Sequence, residues 1–248
     1  MIKYRMNYSG IGVGVSWYIA RQGFLDSFLP NVYYHVKNTG GKELKGVEDI
    51  SHTLEIDLRQ PVETLHGSFQ KSYRQQIRQS EEEGITCYFS DDIPFFVDFF
   101  NQFAKVKNIH TVTVERMMEM KPFLKLSFAE YQGTVLAVHS YLVDEDTKIV
   151  RTFHSATRRL EDNIERNRVG KANKYLHYKD MIAFKEMGIE TYDFGGIAKD
   201  TEQKDLKGIN EFKMGFGGEV VPCRNVYSYG YYLMRKVSRM LGLTGKVE

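Results

Sequence analysis

Apolar side chains recur along this chain at two spacings, every second residue in some stretches and every third or fourth in others. The first spacing is typical of strands and the second of helices that bury one side. Strands are predicted at 31–36, 53–58, 85–89, 123–130, 135–143, 149–156, 190–194 and 219–226. Helices are predicted at 71–83, at 94–108, from 113, from about 173 to 187, at 211–216 and at 229–241. This order favours an α/β (α+β) fold with a mixed central sheet and helices on both of its faces.

Length and charge narrow the function classes. The 248 residues suffice for one large domain, and we expect a single domain over 1–248, with 1–52 as an N-terminal extension. The 34 Lys and Arg residues against 32 Asp and Glu leave a formal net charge of +2, which argues against a DNA-binding protein. No apolar window has the length of a membrane-spanning helix, and the N-terminus lacks the apolar stretch of a signal peptide. We therefore expect a cytoplasmic protein.

The two cysteines, Cys87 and Cys223, lie far apart and match no metal-ligand spacing. We therefore expect reduced structural thiols, no metal site and no permanently bound cofactor.

Three segments share a pattern in which a helix or strand boundary is marked by glycine. They are SYRQQIRQSEEEGITC at 72–87, KYLHYKDMIAFKEMGIETYDFGGI at 174–197 and GINEFKMGFGGEVV at 208–221. In this order they resemble the FemAB branch of the GNAT acyltransferase superfamily, over roughly 53–226. The resemblance implies a GNAT-like sheet and an enzyme that joins an activated acyl group to an amine. FemAB transferases of the peptidoglycan-bridge kind typically have two tandem GNAT-like halves, whereas the first half of this chain keeps only part of that pattern.

The segment from 167 to 172, NRVGKA, resembles the GNAT loop that binds the pyrophosphate of coenzyme A. In that loop Gln or Arg is followed by two residues, Gly, one residue, and Gly or Ala. Small residues let phosphate approach the backbone, and a helix N-terminus offers free N–H groups. The resemblance assigns donor binding to the whole segment, although the same residues would also suit a solvated basic turn; they are Asn167, Arg168, Val169, Gly170, Lys171 and Ala172.

In GNAT proteins the donor's arm lies between two parallel strands that splay apart, which here would be the strands at 149–156 and 190–194. Gly195 and Gly196 would leave room for the reacting ester or thioester, or would simply form a tight turn.

Three side chains are candidates for the chemistry of this cleft. His154 and Asp193 could prepare the attacking amine, because an imidazole or a carboxylate can accept its proton. A structural role of a strand histidine is the alternative for His154, and His139 and His177 are weaker candidates. Lys213 matches the FemAB lysine that meets the donor or the developing oxyanion, or it is a surface lysine with a buried stem.

Two further features concern the acceptor and a membrane. Arg74 and Arg78 lie one helical turn apart and could hold an anionic acceptor, or pair with neighbouring glutamates on a solvated face. The basic amphipathic helix at 229–242 could contact a membrane peripherally, or pack on the domain.

Three functions stay open at this stage. The first is an acyltransferase that takes its acyl group from acyl-CoA and acts on an amino sugar or another cell-envelope or polysaccharide precursor. The second is an aminoacyl-tRNA-dependent transferase of the FemAB kind. The third is a catalytically silent GNAT-like binding module.

Overall fold

The computed structural model of the protein describes residues 1–8, 10–158 and 165–240. Its strands are β1 Lys3–Tyr8, β2 Ile11–Ile19, β3 Asn31–Asn38, β4 Val47–Asp57, β5 Thr86–Ser90, β6 Leu124–Tyr131, β7 Thr134–Asp144, β8 Ile149–Thr157, β9 Thr191–Gly196 and β10 Glu219–Tyr227. Its helices are α1 Val62–Gly67, α2 Lys71–Glu82, α3 Ile93–Lys107, α4 Val114–Glu119, α5 Arg166–Glu186, α6 Lys204–Met214 and α7 Tyr229–Met240. Every predicted strand is present, and β1 and β2 were not predicted.

The described residues form two compact units. The first contains residues 1–53, 144–147 and the described part of 221–248, and the second contains 54–143 and 148–220. The prediction of one domain with an N-terminal extension is not decided by this division and stays a prediction.

The second unit is a mixed sheet, as predicted. From Leu54 onward, its strands lie in the order β4, β9, β8, β7, β6 and β5. β7 is antiparallel to β6, which confirms the first step of the antiparallel meander predicted for 123–130, 135–143 and 149–156. β5 is also antiparallel to β6, whereas β8 and β9 are parallel.

Helices cover both faces of this sheet, as the side-chain contacts of β7 demonstrate. His139 and Tyr141 contact Asp180 of α5, while Ser140 contacts His154, whose ring packs against Phe100 of α3. Because successive side chains of a strand point to opposite faces, α5 and α3 lie on opposite faces. The predicted sheet with helices on both faces is therefore confirmed.

The core of the second unit lies between the sheet and the three helices α1, α2 and α5, which pack on one of its faces. Phe69, Leu176, Phe184, Tyr192 and Phe216 belong to it, and all are buried. Burial of each large side chain removes apolar area from water and stabilises the fold by about 1.5–3 kcal/mol. The rings contribute edge-to-face pairs such as Phe69 with Phe216, whose centroids are 5.2 Å apart.

The first unit has its own strands. β1 is antiparallel to β2, β2 is parallel to β3, and β3 is antiparallel to β10. A small core of Ala20, Tyr33, Leu44 and Val226 lies beside them. In the described parts of the chain, no helix is both long enough and apolar enough to cross a bilayer.

Candidate active site

β8 and β9 pair with each other over part of their length. Their parallel pairing joins Ile149, Val150 and Arg151 to Thr191, Tyr192 and Asp193. β8 continues to Thr157 and β9 to Gly196, beyond the paired stretch. The prediction that these strands are adjacent and parallel is thus confirmed, and their divergence at the carboxyl ends stays a prediction.

Asp193 lies where the two strands part, and both of its carboxylate oxygens have partners. Oδ2 accepts a hydrogen bond from Nη1 of Arg151 at 2.7 Å, and Oδ1 accepts one from the backbone N–H of Gly195 at 2.7 Å. Gly195 has φ +81°, and a Cβ there would lie 3.4 Å from the carbonyl oxygen of Thr152. A side chain would therefore be strained at this turn. Asp193, predicted as a base, here connects β8 to the glycine turn.

Lys213 faces the same turn from the last helical turn of α6. Its ammonium donates a hydrogen bond to the carbonyl oxygen of Gly196 at 2.7 Å. Burial of the side chain, and secondarily the positive charge of Arg151, lowers the pKa of Lys213 to about 8, against an opposing effect of Asp193. Lys213, Gly195, Gly196 and Asp193 are therefore brought together at this turn.

The glycines that follow Lys213 also have a structural role. Gly218 has φ +86°, and a Cβ there would lie 2.6 Å from the carbonyl oxygen of Glu55 on β4. The Gly-Gly of this motif therefore lets the chain pass close to β4 before β10 begins.

A buried polar cluster that the sequence analysis missed lies between α5 and the sheet. Oδ2 of Asp180 accepts hydrogen bonds from Ser127 Oγ at 2.7 Å and from Tyr141 OH at 2.6 Å. His139 Nδ1 lies 3.1 Å from the same oxygen, and its Nε2 lies 2.9 Å from Oδ1 of Asn173. Ser127, His139, Tyr141 and Asp180 are buried and Asn173 is half-buried, so the cluster fixes α5 against β6 and β7.

The cluster extends from Tyr141 toward the strand separation. Tyr141 OH lies 2.8 Å from Tyr192 OH, which in turn lies 2.8 Å from Nδ1 of His177 and accepts from Thr152 Oγ1 at 3.3 Å. Burial lowers the pKa of His177 well below its ordinary value, and His139, Lys213 and Lys174 lower it further. His177 is therefore a neutral imidazole, and a chain of hydrogen bonds joins it to Asp180.

A sequence signal for this cluster exists. Asn173, His177 and Asp180 are spaced i, i+4 and i+7, which places three polar side chains on one side of a helix. That side of α5 is otherwise apolar, with Val169, Leu176 and Phe184 buried. Polar residues at helical spacing on a buried face need partners, and here they find them on β7 and β9.

His154 lies apart from Lys213, on the face of the sheet that α3 covers. Its Nδ1 lies 2.8 Å from Oγ of Ser140, and its ring centroid lies 4.8 Å from that of Phe100. Burial, and secondarily the charge of Arg116, lowers its pKa to about 4. Thr152, two residues earlier, contacts Tyr192 on the opposite face, so the alternation of β8 breaks between Thr152 and His154. The prediction of His154 as a base stays a prediction.

The NRVGKA segment is not a loop before a helix. Helix α5 begins at Arg166, seven residues before the predicted start near Asn173, so the whole segment is helical. Lys171 and Arg168 form ion pairs with Glu83 of the neighbouring chain segment, and Val169 and Ala172 are buried. Among the residues that the structure describes, the N-cap residue Glu165 makes no side-chain capping bond to the first N–H groups of α5.

A polar cavity of about 400 Å³ opens at this helix start. A Cβ on Gly170 would meet no heavy atom within 4 Å, so the glycine faces open space. The cavity wall carries four cationic or amide groups from α5 and two glutamines from α2; it is lined by Gln76, Gln79, Glu165, Arg166, Asn167, Gly170, Lys171 and Lys174.

Arg74 and Arg78 line a different cavity, of about 450 Å³, where α1, α2 and α5 meet. Arg74 donates to the carbonyl oxygen of Gly67 at 3.1 Å, and Arg78 pairs with Glu82. His66 Nε2 is buried and has no hydrogen-bond partner among the residues that the structure describes. The predicted acceptor residues are thus together, but in a cavity of their own.

No protein-family model and no curated protein sequence matches the chain. Solved structures do match. FemX superimposes with a TM-score of 0.60 at 14% sequence identity, over 75% of this chain and 63% of FemX. The C-terminal domain of a protein designated a lysylphosphatidylglycerol synthetase from Agrobacterium fabrum gives 0.54 at 13% identity, over 100% of this chain and 90% of that domain.

A third match is L-PGS from Bacillus licheniformis, with a TM-score of 0.51 at 10% identity over 88% of this chain and 75% of that one. This chain therefore spans less than two thirds of FemX but most of the two synthetase chains. At these identities the likeness concerns the fold. The chain shares its mixed α/β fold with FemX, with that C-terminal domain and with L-PGS, which confirms the predicted fold.

Proposed function

We propose that this protein transfers an acyl group from an activated, phosphate-bearing carrier to an amine. The observation that carries the proposal is the end of the pairing between β8 and β9 at Arg151 and Asp193, with the Lys213 ammonium at the glycine turn. An acyl chain that enters between the two strands beyond this point would bring its carbonyl group to the turn. The fold shared with FemX and a lysylphosphatidylglycerol synthetase domain supports the same class of reaction.

The chemistry follows from the groups at the turn. The amine nitrogen forms a bond to the carbonyl carbon, and the bond from that carbon to the carrier's sulfur or oxygen breaks. The proton that the amine loses ends on this sulfur or oxygen, so the carrier leaves as a thiol or an alcohol. Negative charge develops on the carbonyl oxygen, where a nearby ammonium group stabilises it. Lys213 supplies this charge, because with a pKa of about 8 it is mostly protonated at neutral pH.

Coenzyme A is the first candidate carrier. The support is the uncapped start of α5, with its cavity, open glycine and cationic side chains. Helix N-termini bind phosphate through free N–H groups and the helix dipole. Lys171 and Arg168 already pair with Glu83, so a diphosphate would have to compete with or join these pairs.

An aminoacyl-tRNA is the second candidate carrier. It is favoured by the likeness to FemX and to a lysylphosphatidylglycerol synthetase, whose name denotes the formation of an aminoacylated lipid.

The acceptor is an amine on an anionic molecule, such as an amino sugar or another cell-envelope or polysaccharide precursor. The cavity with Arg74, Arg78 and Lys71 supplies positive charge, and the unpartnered Nε2 of His66 offers a hydrogen bond. A silent binding module, the remaining alternative, is disfavoured by the titratable Lys213 at the turn.

Mass spectrometry of ligand retained by the purified protein, followed by calorimetry with CoA and with tRNA, tests the donor. Gly170→Asp combined with Lys171→Ala should weaken CoA binding by about 1–3 kcal/mol, because a carboxylate would face phosphate and charge-assisted bonds would be lost. Unchanged affinity in this variant would remove CoA as the carrier. Binding of tRNA without CoA would assign the second candidate, and binding of neither would contradict the proposal.

A further inference from the structure

Helix α7 of the first unit buries one side and exposes an apolar side to water. Tyr231 and Ser238 are its buried residues. At about 100° per residue, Tyr229, Leu233 and Met240 lie on the opposite side of the helix. They are exposed, Leu233 to 63% and Met240 to 80%. An ordinary surface helix turns its apolar side inward, whereas α7 exposes apolar side chains to water.

A short loop extends this apolar side. It forms a 3₁₀ turn at Leu25–Ser27 and exposes Phe24, Leu25, Phe28 and Leu29, with Phe24 at 73%. The loop lies directly against the start of α7, because a Cβ on Gly230 would meet the backbone of Phe28 and Leu29 within 3 Å. Together these nine side chains form what we call the apolar patch: Phe24, Leu25, Phe28, Leu29, Tyr229, Tyr232, Leu233, Val237 and Met240.

The charges beside the apolar patch are mainly positive. α7 carries Arg235, Lys236 and Arg239 and no acidic residue. Lys45 lies 5.8 Å above the ring of Phe24. The one carboxylate of the loop, that of Asp26, accepts a hydrogen bond from the backbone N–H of Gly23. The apolar patch therefore presents net positive charge to whatever covers it.

Lys236 decides which kind of partner fits. On the helix it lies between Leu233 and Met240, in the middle of the exposed apolar side. The centre of a protein–protein interface is depleted of lysine, because the ammonium would lose its water. At a bilayer surface the same side chain extends its stem along the apolar region and keeps its charge among the headgroups.

We propose that the apolar patch is a peripheral docking surface for a bilayer that contains anionic lipids. The loop rings and the exposed side of α7 enter the boundary between headgroups and acyl chains, and the basic residues of α7 contact lipid phosphates. Nothing in this proposal requires that the chain transfers an acyl group.

Sedimentation of the full chain with vesicles tests the proposal. Phosphatidylcholine vesicles with phosphatidylglycerol mixed in should bind the protein, and pure phosphatidylcholine vesicles should bind it much more weakly. Lys236→Gln with Arg239→Gln should lower binding to anionic vesicles about 25-fold, or about five-fold for each charge. Leu233→Ser with Met240→Ser should lower it at least about ten-fold, because apolar area no longer enters the bilayer.

A matched control removes two exposed apolar side chains elsewhere. Val106→Ser with Ile109→Ser, on α3 and just after it, should leave vesicle binding unchanged. Circular dichroism and urea unfolding establish that each variant is folded. Wild-type protein that stays unbound with anionic vesicles overturns the proposal, as does binding that the Leu233 and Met240 changes leave intact. A wild-type dimer that these changes dissociate, with no vesicle binding, would assign the patch to a second copy instead.

Discussion

The ammonium of Lys213 and the carbonyl oxygen of Gly196 are joined by a hydrogen bond of 2.7 Å. This bond connects the end of α6 to the glycine turn that ends β9. It holds a cation where β8 and β9 have separated, in surroundings that lower the pKa of Lys213 from an ordinary 10.5 to about 8.

The pH dependence of transfer should follow Lys213. If the ammonium stabilises the oxyanion, kcat should fall as pH rises through about 8. Lys213→Arg, which stays charged at these pH values, should remove that decline, and Lys213→Met should lower kcat by roughly 10²–10³ at pH 7. An alkaline decline that persists in Lys213→Arg would assign the decline to another group.

The same pKa predicts a stability effect that needs no substrate. Between about pH 8 and 10.5 the unfolded chain binds the Lys213 proton and the folded chain does not, so this group makes the free energy of unfolding rise with pH. The free energy of unfolding, measured in urea at several pH values across this window, should therefore rise more steeply with pH in the wild type than in Lys213→Met.

His154 and Asp193 are alternative candidates for the base that accepts the proton of the amine, and their environments predict different results for the two. A base at His154 would give a decline in kcat as pH falls through about 4, because its pKa lies there. His154→Gln should then slow transfer about a hundred-fold or more with donor affinity unchanged. Asp193→Asn should instead disturb both rate and stability, because Asp193 holds Arg151 and the Gly195 turn. Full activity in both variants would leave the proton to water and end both assignments.

Asp180 should be essential for stability. Asp180→Ala would leave the donors of Ser127, Tyr141 and His139 buried without their acceptor, at a cost of about 3–5 kcal/mol. Lys179→Ala, on the exposed side of the same helix, is the control and should change the free energy of unfolding by less than about 0.5 kcal/mol. Equal unfolding midpoints in urea would contradict this role.

Gly170→Ala should separate stability from donor binding. Its Cβ would meet no atom of the described protein, and alanine is the better helix former by about 1 kcal/mol, so the free energy of unfolding should rise. If phosphate lies against this glycine, CoA affinity should fall in the same variant. Gly208→Ala in α6 also meets no atom and is the matched control, which should gain the same stability with unchanged affinity.

Neither cysteine should take part in the reaction. Burial raises the pKa of the Cys87 thiol well above its ordinary range, so it is not a thiolate nucleophile, and Cys223 is buried. Cys87→Ser and Cys223→Ser should therefore keep their kcat. Loss of activity in a folded cysteine variant, with trapping of an acylated protein, would show a covalent intermediate.

The strand pattern of the second unit could be predicted from sequence because alternation and glycine punctuation are local signals. The adjacency and parallel direction of β8 and β9 came from the family resemblance, and the sheet bears them out. The start of α5 was placed seven residues late, since Arg166, Asn167 and Arg168 carry no apolar spacing to mark a helix. β1 and β2 were missed because glycines interrupt Ile11–Ile19, where pairing rather than local preference makes the strand.

The polar cluster around Asp180 illustrates the limit for the site. The helical spacing of Asn173, His177 and Asp180 marks one side of α5, but it does not identify their partners. Only the pairing of β6 with β7 and the packing of α5 bring Ser127, His139 and Asp180 into contact. His154 was named as a candidate base together with Asp193 because an imidazole can accept a proton and the two residues lie on neighbouring strands. The break between Thr152 and His154 places its ring on the other face.

The end of pairing between β8 and β9 also has a consequence for the protein in solution. From Thr152 to Thr157, β8 presents a strand edge that β9 does not pair with, and such edges are templates for another extended chain. The amide groups of a carrier's arm could pair with this edge in the manner of an added strand. A bound carrier would then shield the edge, and the empty protein would have the greater tendency to self-associate through it.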